Sequence, residues 1–297
     1  MIRISGVVFL AVFLCNFGKL HAAHWSYKDI DHWDKQCSSG KKQSPITLTP
    51  DTSEGKTFPP FTFDGYDQLY NANIKNNGHT AVVNLETSKR PMLAGGGLDG
   101  VYVLDSFHFH WGSEHLEGDK RYAGEIHLVH YSNKYKDLSQ ALTVGRVAVL
   151  GVFLYLSPDD YEDLAPIITA VRQIQQQKVR LNVPVAIQRL ELDDFLPHDR
   201  AGFYRYEGSL TTPNCTEGVT WTVFTNGLPI SSHQLRTFTQ LTTEENTLLT
   251  TNYRPVQELN DRVVYLKVSE MDSAADFVTA ATSFKVLTLV AILINLF

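Results

Sequence analysis

For most of its length the chain alternates or clusters hydrophobic positions over short stretches. Ala81-Val82-Val83-Asn84-Leu85, Val101-Tyr102-Val103-Leu104, Ser106 to Trp111, Glu125 to Tyr131, Ala148 to Leu156, Gly218 to Phe224 and Arg262 to Val268 are rich in β-branched and aromatic residues. That is the composition of strands buried on one or both faces. Asn76-Asn77-Gly78, Gly95-Gly96-Gly97 and Asp99-Gly100 punctuate them as turns. One segment has helical spacing instead. Ser157-Pro158-Asp159-Asp160 offers a cap, a first-turn proline and early acids, and Leu164, Ile167, Ile168, Val171 and Ile174 follow on one face. An amphipathic surface helix starting at Ser157 is predicted. Strands in long succession with one clear helix predict a mainly β (α+β) single domain on a large twisted sheet, not repeated βαβ units.

The two ends break this pattern. Residues 1–23 carry Arg3 and then an apolar run from Val7 to Leu14, followed by Ala22 and Ala23. The run is too short to span a bilayer and reads as a cleaved signal peptide. Residues 271–297 hold Ser273-Ala274-Ala275, a spacer, and an apolar tail from Val286 to Phe297. Small residues, spacer and tail describe a glycosylphosphatidylinositol (GPI) attachment signal better than a membrane helix, because the tail lacks length and flanking charge. Residues 24–270 are left as the domain, in the secretory pathway and on the outer face of the membrane.

Charge and cysteines narrow the class. The whole chain has a net charge of -6. Taking residues 24–273 as the mature chain removes Arg3, Lys19, Lys285 and Asp276 and takes it to -8. A mildly acidic domain does not suit nucleic acid. Cys15 falls in the signal peptide, leaving Cys37 and Cys215 as an even pair in an oxidising compartment. A single disulfide between them is the simplest pairing.

The chemistry concentrates in Ser106-Phe107-His108-Phe109-His110-Trp111 and in Glu125-Ile126-His127-Leu128-Val129-His130. In a strand, residues two apart share a face, so His108 and His110 project together and the aromatics turn inward. In the second segment Glu125, His127 and Val129 share a face. If the two strands are neighbours, His108, His110 and His127 converge, and three protein ligands with one open position is the pattern of catalytic zinc. H-x-H in a strand is weak evidence alone, and strand pairing cannot be read from periodicity. His32, His198 and His233 read as surface or cap residues.

Seven motifs, these two segments among them, in order and at similar spacing, resemble the α-class carbonic anhydrases from about His24 to Val268. They are Gln43-Ser44-Pro45-Ile46, Asn76-Asn77-Gly78-His79, Phe107 to Gly112, Gly112-Ser113-Glu114-His115, Glu125 to His130, Gly208-Ser209-Leu210-Thr211-Thr212-Pro213 and Val219-Thr220-Trp221. The resemblance implies a ten-stranded, mostly antiparallel twisted sheet with short surface helices. It implies Zn2+ on His108, His110 and His127, and reversible hydration of carbon dioxide to bicarbonate by zinc-bound hydroxide. Glu125 would accept the free N–H of His127, and His115 would stand beside it. Thr211 would donate its hydroxyl to Glu114 and so orient the attacking oxygen. Val129, Val149, Leu210, Val219 and Trp221 would form the apolar wall for the substrate. His79 would shuttle the proton from a turn that leaves its ring mobile. Cys37 and Cys215 match the disulfide of the membrane-anchored, extracellular branch of the family.

Two positions depart from the family's pattern. Ser106 stands where a Gln usually hydrogen-bonds the first ligand, and would need another partner to do so. Val82 stands where some members have Asn near the shuttle. Asn214-Cys215-Thr216 is formally a glycosylation sequon, set aside because its middle residue is the proposed disulfide cysteine. A silent, binding-only relative would have lost a ligand histidine, and another type of zinc hydrolase would show H-E-x-x-H. Neither feature is present in the sequence.

Overall fold

The computed structural model describes residues 25–176 and 181–267. The signal-peptide and lipid-anchor segments read from the sequence lie outside them. Among the described residues no helix is long and apolar enough to cross a membrane.

Ten strands follow one another across the main sheet. In chain order they are β1 (Glu54–Gly55), β2 (Leu69–Asn76), β3 (Ala81–Leu85), β4 (Tyr102–Trp111), β5 (Gly124–Ser132), β6 (Val147–Ser157), β7 (Val185–Glu191), β8 (Phe203–Ser209), β9 (Glu217–Phe224) and β10 (Tyr265–Lys267). Their order across the sheet is β7-β2-β3-β4-β5-β6-β9-β8-β10-β1, with the short strands Phe61–Asp64, Met92–Gly95 and Leu228–Ser231 attached beside it. Along that path only β6–β9 and β10–β1 run parallel. The large sheet expected from the strand pattern is therefore present, with the mainly antiparallel architecture that the resemblance implied.

The pleat sorts side chains into two clusters on opposite faces. Phe107, Phe109, Ile126, Leu128, Leu150 and Val152 pack on one face with Leu164, Ile167, Ile168, Val171 and Ile174. Val129, Val149, Val219, Trp221, Tyr204 and Tyr206 gather on the other. The helix Ala165–Gln176 covers the first face and leaves the second open for a site.

Three expectations need correction. The helix does not start at Ser157: β6 continues to that residue because Leu154–Ser157 pairs with Leu228–Ser231. A bend and a 3-10 turn at Glu162–Leu164 intervene, and Gln234 holds that bend through Tyr161 N and O. The two predicted strands around Asp105 are one, β4, whose register against β5 slips between Leu104 and Ser106. Such a slip is a bulge, which interrupts the alternation on which the sequence reading relied. Among the described residues of the last predicted strand, only Tyr265–Lys267 pairs with the sheet, against β8 and β1.

Candidate active site

The site is built on β4 and β5, which pair antiparallel near the middle of the sheet. Their register places His108 opposite His127 and His110 opposite Glu125. Alternation on each strand then does what the sequence reading required, and the three imidazoles face one another. Their ring centroids lie 5.0, 5.2 and 4.5 Å apart, and one ligand nitrogen from each falls within 4.8 Å of the others.

Hydrogen bonds select which nitrogen points inward. His110 donates Nδ1–H to the carbonyl of Asn252 at 2.6 Å. His127 donates Nε2–H to Glu125 Oε1 at 2.9 Å. Each outer nitrogen therefore carries the proton, leaving a lone pair on His110 Nε2 and on His127 Nδ1. Burial pushes all three rings below the ordinary histidine range, His110 to about 4, and like-charge neighbours press His108 and His127 further down. All three are neutral at physiological pH, as metal ligands must be.

His110 Nε2 is buried and has no hydrogen-bond partner. An orphaned acceptor costs free energy, and a cation among these lone pairs would satisfy it. The donor set of three imidazole nitrogens fits zinc. A second cluster, His115, Glu125 and His127, is equally compact but is occupied by its own bonds. Glu125 Oε1 accepts from His115 Nδ1 at 2.7 Å as well as from His127. Its Oε2 accepts from the backbone N–H groups of Glu114 and His115, both at 2.9 Å. Burial pushes Glu125 upward, but the charges and hydrogen bonds of His115 and His127 outweigh it and hold the carboxyl well below its usual range.

Glu114 is fully buried. Its Oε1 accepts the backbone N–H of Arg254 at 2.9 Å, and Oε2 lies 3.5 Å from His110 Nε2 and 3.8 Å from His127 Nδ1. Burial raises its pKa to about 7, against the opposing pull of His127, the Arg254 N–H and the Thr211 hydroxyl. Thr211 lies near enough to Glu114 to act on its carboxyl, while Glu114 Oε2 is buried and has no hydrogen-bond partner. Val129, Val149, Val219 and Trp221 share one apolar cluster, with Leu210 packed against it. The Trp221 ring stands 4.8 Å from His127.

His79 differs from expectation. Its ring is stacked on Trp25, centroids 3.6 Å apart and planes within 9°. Its backbone is pinned as well, the N–H by Asn77 Oδ1 at 3.0 Å and the carbonyl by Asn252 Nδ2 at 3.1 Å. Ser106 donates to Asp105 Oδ2 at 3.0 Å, turned there beside the bulge, and does not replace the absent glutamine. Val82 pairs directly with His108.

Several residues that organise the site carry no local signal. Asn252 serves three strand-borne groups: its carbonyl takes His110, its Oδ1 takes Trp111 N–H at 2.7 Å, and its Nδ2 reaches Phe109 O at 2.9 Å. Arg254 donates Nη1 to Gln43 Oε1 at 2.9 Å and Ser44 O at 2.7 Å, and Nη2 to Cys37 O at 2.5 Å. Tyr206 joins His115 Nε2 to Ser44 Oγ, at 2.7 and 2.8 Å. All contact partners more than 90 positions away, so no window of sequence would find them. Cys37 and Cys215 are disulfide-bonded, as expected.

A family model for eukaryotic-type carbonic anhydrases matches residues 22–268. Putative carbonic anhydrase 3 of Caenorhabditis elegans is 38% identical over 253 residues, covering 81% of this chain and 96% of the relative. Putative carbonic anhydrase 5 of the same organism is 36% identical over 306 residues, covering 97% and 95%. Carbonic anhydrase 6 of Homo sapiens is 31% identical over 281 residues, covering 87% and 88%. Matched over most of its length by that model and by relatives above 30% identity, the chain belongs to the eukaryotic-type carbonic anhydrase family.

Proposed function

We propose that His108, His110 and His127 hold a zinc ion and that the protein hydrates carbon dioxide reversibly, with His79 as the proton shuttle. The carrying observation is the set of three neutral imidazoles, one with a buried, partnerless Nε2, beside an apolar cluster. Zinc there supplies a Lewis acid that acidifies water.

The chain's own groups supply orientation. Asn252 and Glu125 fix the tautomers and ring planes of His110 and His127. The Arg254 N–H takes one oxygen of Glu114; the other is buried without a partner, lies near the ligand nitrogens, and would accept the Thr211 hydroxyl. Thr211 Oγ1 then offers only lone pairs inward, so it accepts a hydrogen bond from the attacking oxygen and aims it. Carbon dioxide carries no charge, and the wall of Val129, Val149, Leu210, Val219 and Trp221 gathers it without competing for the metal. A proton leaves through a ring nitrogen of His79, whose class of side chain titrates near neutrality.

The lines of evidence for place are the apolar run within residues 1–23, the tail within 271–297 and the disulfide. They support secretion and GPI attachment, with residues 24–270 as the catalytic domain. Metal analysis of the purified protein, paired with hydration assays before and after chelation, tests the reading. One zinc per chain, with activity lost on chelation and restored by zinc, is expected. A metal-free protein of full activity would overturn it. Release of cell-bound protein by phosphatidylinositol-specific phospholipase C tests the anchor, and retention of the 286–297 peptide on the membrane-bound protein would refute it.

A further inference from the structure

Arg205 lies on β8 between Tyr204 and Tyr206. Those two tyrosines belong to the cluster on the site's face of the sheet, so alternation sends Arg205 to the opposite face. It is 5% exposed. Nε and Nη2 both donate to Thr222 Oγ1, at 3.1 and 2.9 Å. The guanidinium carbon stands 5.2 Å from the Phe58 ring and 5.4 Å from Phe203. No carboxylate forms an ion pair with it among the described residues. Burial lowers its pKa only to about 10, so the group stays cationic at neutral pH. A buried cation held by one neutral hydroxyl and aromatic faces is an expensive arrangement.

Nη1 makes no hydrogen bond with the protein among the described residues. It borders a cleft of about 380 Å³, lined in part by Gly97, Lys56, Asp99, Arg146 and Glu207. Gly97 is the close neighbour: a Cβ there would sit 3.7 Å from Nη1 and 2.5 Å from Phe58, so glycine keeps this wall low. The charges are unequally engaged. Asp99 is paired with Arg146 and accepts the Tyr102 hydroxyl at 2.5 Å. Lys56 makes no carboxylate pair among the described residues, and its Nζ rests 3.9 Å from the Tyr265 ring centroid. Glu207 is exposed at the rim and accepts from Thr220 Oγ1 at 3.0 Å. Two cations without carboxylate partners thus border one cleft, one of them buried with a donor to spare.

We infer that this cleft, on the face of the sheet opposite the three histidines, binds a small oxyanion between Arg205 Nη1 and Lys56 Nζ. The ligand class is a carboxylate or bicarbonate, or a sulfate or phosphate group. Charge-assisted bonds from guanidinium and ammonium suit all of these oxygens. The inference does not depend on the metal or on hydration chemistry.

The test titrates sodium bicarbonate, acetate, sulfate and phosphate, separately and at fixed ionic strength, into the metal-loaded protein. Sodium chloride serves as the control. The Nε–H resonance of Arg205 and the amide of Gly97 are followed by NMR. Saturable shifts of both signals are expected with at least one oxyanion and not with chloride. Bicarbonate or acetate as the tighter ligand identifies a planar site, and sulfate or phosphate a tetrahedral one. Lys56→Gln changes an exposed residue, so folding is not at stake, and should weaken the dissociation constant at least about fivefold. Glu207→Gln removes the competing rim charge and should tighten it. If no oxyanion gives saturable shifts, or if neither variant moves the constant, the site does not exist. Arg205→Gln, checked for folding by the thermal midpoint, should abolish the Gly97 response, and an unchanged response in the folded variant would also overturn the assignment.

Discussion

Arg254→Met tests whether one buried guanidinium holds the site's outer frame together. Arg254 is 1% exposed, and its side chain makes three hydrogen bonds to Gln43, Ser44 and Cys37. Gln43 in turn donates Nε2 to Cys215 O at 3.1 Å, so Arg254 grips one disulfide cysteine directly and the other through Gln43. Methionine keeps much of the stem volume and removes all three donors. Hydrogen bonds from a charged donor contribute about 1.5–3 kcal/mol each, and the orphaned acceptors are buried. Against that loss, the variant no longer desolvates a cation, which returns several kcal/mol. The net destabilisation expected is about 2–5 kcal/mol, and for a domain of this size each kcal/mol moves the thermal midpoint roughly 2–4 °C. Calorimetry on the purified variant should therefore show a midpoint lower by about 10 °C. The coupling should appear in a double-mutant cycle with Cys37→Ser/Cys215→Ser. Because Arg254 bonds the loops that the disulfide joins, the combined loss should depart from the sum by more than about 0.5 kcal/mol. A midpoint within 2 °C of the parent, or strict additivity in the cycle, would show that the frame does not rest on Arg254.

His127→Ala should drop zinc content well below one per chain and abolish hydration. Stoichiometric zinc with normal hydration would remove it from the ligand set. Thr211→Ala should keep the metal and slow hydration, losing about 2 kcal/mol of orientation, or some 30-fold; an unchanged rate at full zinc occupancy would refute the gate-keeping role. His79→Ala should lower the maximal rate in weak buffer and recover with added imidazole, whereas a rate equal to the parent in weak buffer would mean that the proton leaves elsewhere. Asp194 is pushed up to about 6 by burial and then by Asp163, Glu191 and Asp193. Its ionised form is thus penalised in the fold, so its contribution is unfavourable above pH 6 and vanishes below the unfolded value near 3.9. Asp194→Asn should raise the unfolding free energy measured at pH 8, by under about 1 kcal/mol once solvent screening is allowed for, and leave it unchanged near pH 3.5; a gain independent of pH would refute this.

What the sequence disclosed follows from which interactions are local. Alternation along β4 and β5 is a property of neighbouring residues, so the shared face of His108 and His110 could be read directly. The pairing that brings His127 opposite His108 is not local, and only the resemblance supplied it. The strands Leu69–Asn76, Val185–Glu191 and Phe203–Ser209 escaped notice because they mix in polar residues. In Leu69–Asn76 burial alternates while the exposed positions include Asn71 and Leu69. Val185–Glu191 lies at one end of the main sheet and carries a register shift between Ile187 and Leu190, with Arg189 at φ 58°. Phe203–Ser209 contains Arg205, a charge buried against the usual rule. The His79 ring was read as loose because a turn-forming run precedes it, yet Trp25, 54 positions earlier by number, supplies a flat surface for it.

The disulfide has a topological consequence. Cys37 and Cys215 stand 178 positions apart, and the span between them contains His79, His108, His110, Glu114, Glu125, His127 and Thr211. A protease that cuts the backbone once anywhere in that span opens the chain without dividing it. The two pieces stay one molecule, every histidine remains joined to its partners by a covalent path, and the cut appears on a gel only after reduction. Sheet pairing across β4, β5 and β6 would hold a nicked molecule in register while the sulfur link keeps its parts from diffusing away. For a protein exposed to proteases, ring closure of this kind turns many otherwise fatal cuts into silent ones.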